Sequence, residues 1–402
     1  MTHKIALAER MKAVAPSPTL AINALAAALK AEGKDVLSLS AGEPDFDTPA
    51  HIVQAAHKAL DEGRTRYEAV PGIAPLRKAI AQRYADRGFQ HAHPDQVVVS
   101  PGAKFSLYLA IQATLNPGDE VIIPAPYWVS YPDMVGLAGA VSVIAHAAEA
   151  NDFKLTAEEL RAAITPKTRM LILNSPSNPT GAVYSRAELD ALAEVVLEHQ
   201  LIVLYDAIYE ELIYGDEPFC EFATLRPGLE ELTITVNGLS KSHAMTGWRV
   251  GYLIAPLHVA KAVSTLQSQS TSNLTSFVQY ASVAAVTGDM DPTHQMRAHY
   301  DRRRKLMVGL LRAIPGVTCA EPLGAFYAFP NLSAWIGRTG PDGPIKDDLA
   351  LASYLLKHHG LALVPGSPFG APGFARLSYA TDDDSIREGI ARIARGLAAL
   401  TP

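Results

Sequence analysis

Short β-branched runs alternate with stretches of helical periodicity through the first 290 residues. Val97-Val98-Val99 leads into Gly102-Ala103-Lys104 and a helix-like stretch to Leu115, and Asn116-Pro117-Gly118-Asp119 then turns the chain into Glu120–Pro124. Met170–Leu173 ends at a polar loop from Asn174 to Gly181, Leu201–Tyr205 ends at Asp206, and Thr233–Val236 ends at Asn237-Gly238. Runs of this length, separated by helices, predict an α/β domain with a mostly parallel sheet. The polar residues fall just past the C-terminal ends of the strands, where ligands of open α/β sheets gather.

Beyond Gly288-Asp289-Met290-Asp291-Pro292 the pattern changes. A long helical period runs from Thr293 to Ile314, followed by strand candidates at Gly324–Phe329, Ala362–Pro365 and Ala375–Ala380 and a last helix opened by Asp382-Asp383-Asp384. This predicts a second, smaller α+β domain, with the Gly/Pro/Asp-rich stretch from Gly337 to Asp348 as a surface loop. The expected division is an N-terminal arm with part of the small domain over 1–48, a large domain over 49–290 and the small domain over 291–402. No repeat or low-complexity tract is visible.

Composition narrows the classes. Hydrophobic residues are 48% and charged residues 19% of the 402, as in a globular chain with a sizeable core. A formal net charge of −6 gives nucleic acid no basic face to bind. The one dense basic cluster, Arg302-Arg303-Arg304, reads as a solvated helix face. Two cysteines make no disulfide framework, Met1–Lys12 lacks the apolar core of a signal segment, and no run approaches a membrane span. A cytoplasmic location with no membrane contact is expected. His91 and His93 lie in a polar turn without partners at metal spacing, so no metal is expected. His358-His359 before Gly360 suits a helix C-terminus, against the last carbonyls.

Phosphate-loop, dinucleotide and zinc-helix motifs are all missing. What the strand ends offer instead meets the needs of pyridoxal phosphate: a lysine for an imine, a carboxylate for the ring nitrogen, donors for the phosphate and a flat face for the ring. Lys241 stands in the loop Gly238-Leu239-Ser240-Lys241, and Arg249 supplies a fixed charge suited to a phosphate. Asp206 and Tyr209 follow another strand; Asp206 reads equally as a helix N-cap, and Tyr209 as a half-buried junction residue. Gly102-Ala103-Lys104 opens a helix whose N–H groups suit an anion, though many such turns bind nothing. Trp128 serves either core packing or stacking on the ring.

Taken together, the chain resembles the class I aminotransferases of fold type I over nearly its whole length, and is similar above all to their bacterial aspartate aminotransferase branch. The stretch Gly238-Leu239-Ser240-Lys241-Ser242-His243-Ala244-Met245-Thr246-Gly247-Trp248-Arg249-Val250-Gly251 fits the family's long lysine signature. Ala41–Phe46, Tyr67 before Pro71-Gly72, Asn174–Gly181, Tyr205–Tyr209 and Arg376 within Phe374–Ser378 match in the family's order.

The resemblance implies that Lys241 carries the cofactor and then moves the proton at the substrate's Cα. It implies that Asp206 pairs with the ring nitrogen, Asn178 and Tyr209 with the ring oxygen, and that Trp128 stacks on the ring. Gly102, Ala103, Lys104, Ser240, Arg249 and, across a homodimer interface, Tyr67 are expected at the phosphate. Arg376 is expected to take the α-carboxylate as a bidentate pair, helped by the Gly42 backbone. Lys104 is open to two roles, phosphate or side-chain carboxylate, with Ser17 or Thr19 as neutral donors near the latter. Gly238 departs from relatives with a serine there, and Ala15 stands where prephenate-using relatives carry a lysine. The expected reaction is ping-pong transfer of an amino group from an L-amino acid, aspartate first, to 2-oxoglutarate. An aromatic, alanine-type or broad-specificity aminotransferase, or a β-lyase on the same scaffold, are the alternatives.

Overall fold

The computed structural model describes residues 5–14, 18–216 and 218–402. Its centre is a seven-stranded sheet built from β1 (Val97–Pro101), β2 (Glu120–Ala125), β3 (Val141–His146), β4 (Thr168–Asn174), β5 (Ile202–Asp206), β6 (Thr233–Gly238) and β7 (Val250–Ile254). The spatial order is β1-β7-β6-β5-β4-β2-β3. Only β7 runs antiparallel to its neighbours, so the sheet is mostly parallel, as the patterning predicts. β6 is buried at every position, and its Thr233–Val236 run is wholly apolar or β-branched, as suits a sheet covered on both faces.

The helices take their ends from local chemistry. Ser185 and Glu188 form a capping box at the start of helix Arg186–His199. Gly102, at φ 89°, makes the sharp turn from β1 into helix Ala103–Thr114. Asp382 caps helix Asp383–Ala398 by accepting from the Ser385 N–H, in keeping with the acidic run that announced it.

The C-terminal part carries a three-stranded antiparallel sheet of β8 (Tyr327–Ala328), β9 (Val364–Pro365) and β10 (Ala375–Ser378), in the order β9-β10-β8. These strands are shorter than expected. Part of the run at Ala362 pairs elsewhere, Leu361–Ala362 lying parallel to Leu37–Ser38. That pairing brings the segment beyond Leu39 against this sheet, and Leu39 joins a core shared by Tyr209, Met296, Tyr327 and Leu377. The 337–348 loop folds back on itself, pairing Thr339–Gly340 with Gly343–Pro344.

Two expectations are corrected. The arginine run sits in helix Asp291–Arg312, but Arg303 and Arg304 are buried at 8% and 7% exposure rather than solvated. Arg303 binds the Asp45 carboxylate at 2.9 Å, and Arg304 reaches Asp301, Glu321 and the Pro322 carbonyl. They pin the helix to the 41–46 segment and to the turn before β8. The two histidines do end helix Asp348–His359, with Gly360 left-handed after them, but they serve side chains and not carbonyls. His358 meets Asp342 and His359 meets the Tyr354 hydroxyl.

Candidate active site

A cavity of about 690 Å³ opens at the C-terminal ends of β1, β4, β5 and β6. Gly42, Ala103, Lys104, Trp128, Asn178, Asp206, Tyr209, Ser240, Lys241, Arg249 and Arg376 all line it. Residues more than 300 positions apart thus converge on one space, most of them from the connections that follow the strand ends, with Arg376 reaching in from the small sheet.

Lys241 and Asp206 set its electrostatics. The Lys241 ammonium donates to the Gly42 carbonyl at 2.6 Å. Burial, with the charges of Arg376 and Arg249 nearby, lowers it to about 8. Asp206 is buried at 4% exposure, which pushes its carboxyl up to about 6. Two donors work against that rise: the Tyr131 hydroxyl on Oδ2 at 2.7 Å and the Ile208 N–H on Oδ1 at 3.2 Å. A buried carboxylate so held is ready for a cationic N–H partner, whose charge favours the ionised form.

A cradle for an oxyanion forms at the start of helix Ala103–Thr114, whose first N–H groups have no partner within the helix. The Arg249 guanidinium packs directly on this turn: a Cβ at Gly102 would stand 2.3 Å from its Nη2. Gly251 brings β7 equally close, since a Cβ there would lie 2.0 Å from the Ala103 nitrogen. Arg249 itself takes a left-handed φ of 57°, and its Nη1 donates to the Thr246 carbonyl at 2.9 Å. The glycine at 238 has a physical reason. A Cβ there would meet the Val250 carbonyl oxygen at 2.6 Å, so this position has no room for a serine. Ser240, two residues on, lines the cavity. Lys104 lies 5.1 Å from the Trp128 ring centroid. Partial burial lowers its ammonium, and the Arg249 charge adds to the effect.

On the opposite side Arg376 is buried at 3% exposure. Its Nη1 donates to Asn178 Oδ1 at 3.0 Å and its Nη2 to the Ser40 carbonyl at 3.0 Å, while its Nε is buried without a hydrogen-bond partner. The guanidinium lines the cavity, and the remaining hydrogens of its Nη groups suit an incoming carboxylate. Gly42 leaves the approach open, because a Cβ there would enter the space 4.0 Å from Nη2.

Two residues of this site were not among the expected ones. Tyr131 is the donor to Asp206; its spacing of three from Trp128, which precedes the helix, was the available signal, and the rings meet edge-on at 5.4 Å. Tyr327 bonds the Tyr209 hydroxyl at 2.9 Å, a contact with no trace in the local pattern. Tyr67 does not line the cavity and is 91% exposed. Ala15 and Ser17 lie outside the described residues, as does the side chain of Thr19.

The residues fit pyridoxal phosphate on their own chemistry: an amine free at mild pH, a buried carboxylate, a glycine-lined anion cradle closed by a guanidinium, and an indole at the rim. No group of histidine, cysteine and carboxylate side chains suited to a metal occurs among the described residues. None of their helices is long and apolar enough to cross a membrane.

Comparison with known proteins agrees. The family model described as aminotransferase class I and II matches residues 34–393. The chain is 49% identical over 397 residues to an aspartate/prephenate aminotransferase of Cereibacter sphaeroides, covering 98% of this chain and 99% of the relative. It is 48% identical to an aspartate aminotransferase of Geobacillus stearothermophilus, again over 98% and 99%. The crystal structure of the Rhizobium meliloti aspartate aminotransferase superposes with a TM-score of 0.95 at 44% identity, covering 99% of this chain and 100% of that one. The chain belongs to the class I and II aminotransferases, pyridoxal-phosphate-dependent transaminases of fold type I.

Proposed function

We propose that the protein transfers the amino group of aspartate to 2-oxoglutarate by a ping-pong mechanism. The observation that carries this is the pair of cations, Arg376 and Lys104, lining one cavity along with the phosphate cradle. A dicarboxylate has a partner for each end: the Arg376 fork for the α-carboxylate and the Lys104 ammonium for the side chain. The names of the relatives from C. sphaeroides and G. stearothermophilus support the same substrate.

Pyridoxal phosphate, when bound, supplies an aldehyde that joins to amines and a protonated ring that draws electrons from the substrate's Cα. Asp206 holds the proton on the ring nitrogen, and Tyr131 and the Ile208 N–H hold Asp206. Tyr209 and the Asn178 amide donate to the ring oxygen, and Trp128 covers the ring face. The Gly102–Lys104 backbone, Ser240 and Arg249 bind the phosphate. Arg376 fixes the substrate so that its Cα faces Lys241, whose amine is substantially neutral near pH 8. That amine takes the Cα proton and would hand it on to the cofactor's aldehyde-derived carbon within the same half-reaction, and the second half-reaction runs the transfer in reverse.

Tyr67 belongs to this reading as a residue of a homodimer. It is fully displayed at the surface, away from its own cavity, and is assigned to the phosphate of the partner subunit. The division at 48/49 and 290/291 and a cytoplasmic location complete the reading.

A panel of amino donors against 2-oxoglutarate tests it, with prephenate among the acceptors in a second series. Aspartate is expected to exceed alanine and phenylalanine in kcat/KM by at least about tenfold, the worth of one charge-assisted contact. An aromatic or alanine preference overturns the substrate. Release of pyruvate and ammonia without an acceptor identifies a lyase instead.

A further inference from the structure

Tyr327 touches three parts of the site at once, and none of the roles above uses it. It is buried at 1% exposure in β8. Its hydroxyl lies 2.9 Å from that of Tyr209. The Arg376 guanidinium carbon sits 4.4 Å from its ring centroid. A Cβ on Gly42 would stand 3.6 Å from its oxygen. Strand register puts it there: Tyr327 pairs with Ser378 across β8 and β10, and Arg376, two residues along β10, is its diagonal neighbour on the same face.

Packing alone does not explain the hydroxyl. A phenylalanine would fill the same volume beside Arg376 and spare the burial of a polar atom. The hydroxyl has one partner of consequence, Tyr209, and a phenol has one proton to give. If Tyr209 gave its proton to Tyr327, its O–H would point away from the cavity. If Tyr327 donates, Tyr209 keeps its own proton for a group in the cavity, and the two bonds strengthen each other. An anionic ring oxygen selects the second arrangement.

We infer that Tyr327 is a positioning residue that joins carboxylate recognition to the cofactor's oxygen: its ring holds the plane of Arg376, and its hydroxyl aims and polarises the Tyr209 O–H. This rests on the cofactor reading given above. Its consequence falls on the nitrogen that Lys241 contributes. A stronger Tyr209 donor stabilises the anionic ring oxygen and so favours loss of the proton from that nitrogen. The other charged groups that face Tyr209 and Lys241 are Asp206, Arg376, Arg249 and Glu43. All of them remain in a Tyr327→Phe variant, so any change belongs to the hydroxyl.

The test separates hydroxyl from ring by titrating the visible absorbance of the holoenzyme with pH and then measuring maleate binding by the same signal. Tyr327→Phe is expected to raise the absorbance pKa by about half a unit and to leave the maleate Kd within about twofold. Tyr327→Leu, checked for a parent-like circular dichroism spectrum, is expected to weaken maleate about tenfold, through loss of the face under Arg376. A Tyr327→Phe titration that overlays the parent's overturns the hydroxyl's role, and parent-like maleate binding in Tyr327→Leu overturns the ring's. A parent protein with no pH-dependent visible band refutes the cofactor reading itself, and the inference with it.

Discussion

The Tyr131 hydroxyl donates to Asp206 Oδ2 over 2.7 Å, from a helix 75 residues earlier in the chain. The pair is fully enclosed, so the bond is a main source of stabilisation for the Asp206 anion against burial. Tyr131→Phe removes it and drives the Asp206 pKa further up. A hydrogen bond to a charged group contributes about 1.5–3 kcal/mol, which corresponds to a shift of about one to two units. In the apoprotein, the Asp206 carboxyl signal followed by infrared or NMR titration should move to higher pH by that order. An unmoved titration would show that Tyr131 only packs.

Asp206 also has a cost in the absence of cofactor. Its folded pKa, about 6, lies above the ordinary 3.8, so the folded state binds more protons between those values. Stability from this group is therefore fully present below about pH 4 and is lost as pH rises through 6, by up to about 3 kcal/mol. Asp206→Asn should raise the thermal stability of the apoprotein at pH 7 more than at pH 4.5. The same variant should bind cofactor yet lose at least about a hundredfold in kcat, because a neutral amide does not hold the ring nitrogen protonated. Equal stabilisation at both pH values would contradict the burial argument.

The lowered Lys241 amine predicts how the apoprotein captures its cofactor. Burial disfavours the ammonium, so the neutral nucleophile becomes abundant near pH 8 instead of 10.5. Initial rates of visible-band growth on mixing with pyridoxal phosphate should rise between pH 6 and 8 and level off above about 9. A rate still climbing steeply at pH 10 would place the amine in an ordinary environment.

Gly102 has no room for a methyl group. Its φ of 89° disfavours any other residue, and a Cβ would collide with the Arg249 guanidinium. Gly102→Ala should raise the Kd for pyridoxal phosphate at least about tenfold, as the phosphate loses its best-placed donors. Pyridoxal without the phosphate should bind both proteins alike; if it too is lost, the damage is to the fold and not to the cradle.

Much of this was legible in the chain because the chemistry sits where local patterns stop. Asp206, Asn178 and Lys241 follow β-branched runs, and their strands end where the runs end. The long helix that starts near Pro292 and the opening of the last helix at Asp382 are equally local matters. What was not legible depends on approach from a distance. Arg303 and Arg304 look like a solvated charge run until Asp45 and Glu321 arrive to pair them. Tyr131 and Tyr327 look like core aromatics, because the partners of their hydroxyls, Asp206 and Tyr209, come from distant segments; for Tyr131 its spacing from Trp128 is the one local hint. The two-residue strands of the small sheet are likewise products of pairing, with too few residues to carry a period.

Every role proposed for this site depends on Lys241 being the amine that carries pyridoxal phosphate. Borohydride reduction of the holoenzyme, followed by proteolysis and mass analysis of the peptides, tests it most directly. One phosphopyridoxyl group per chain is expected, on the peptide containing Lys241, and none on Lys241→Ala. A label on Lys104 or any other lysine, with the Lys241 peptide unmodified, would contradict it.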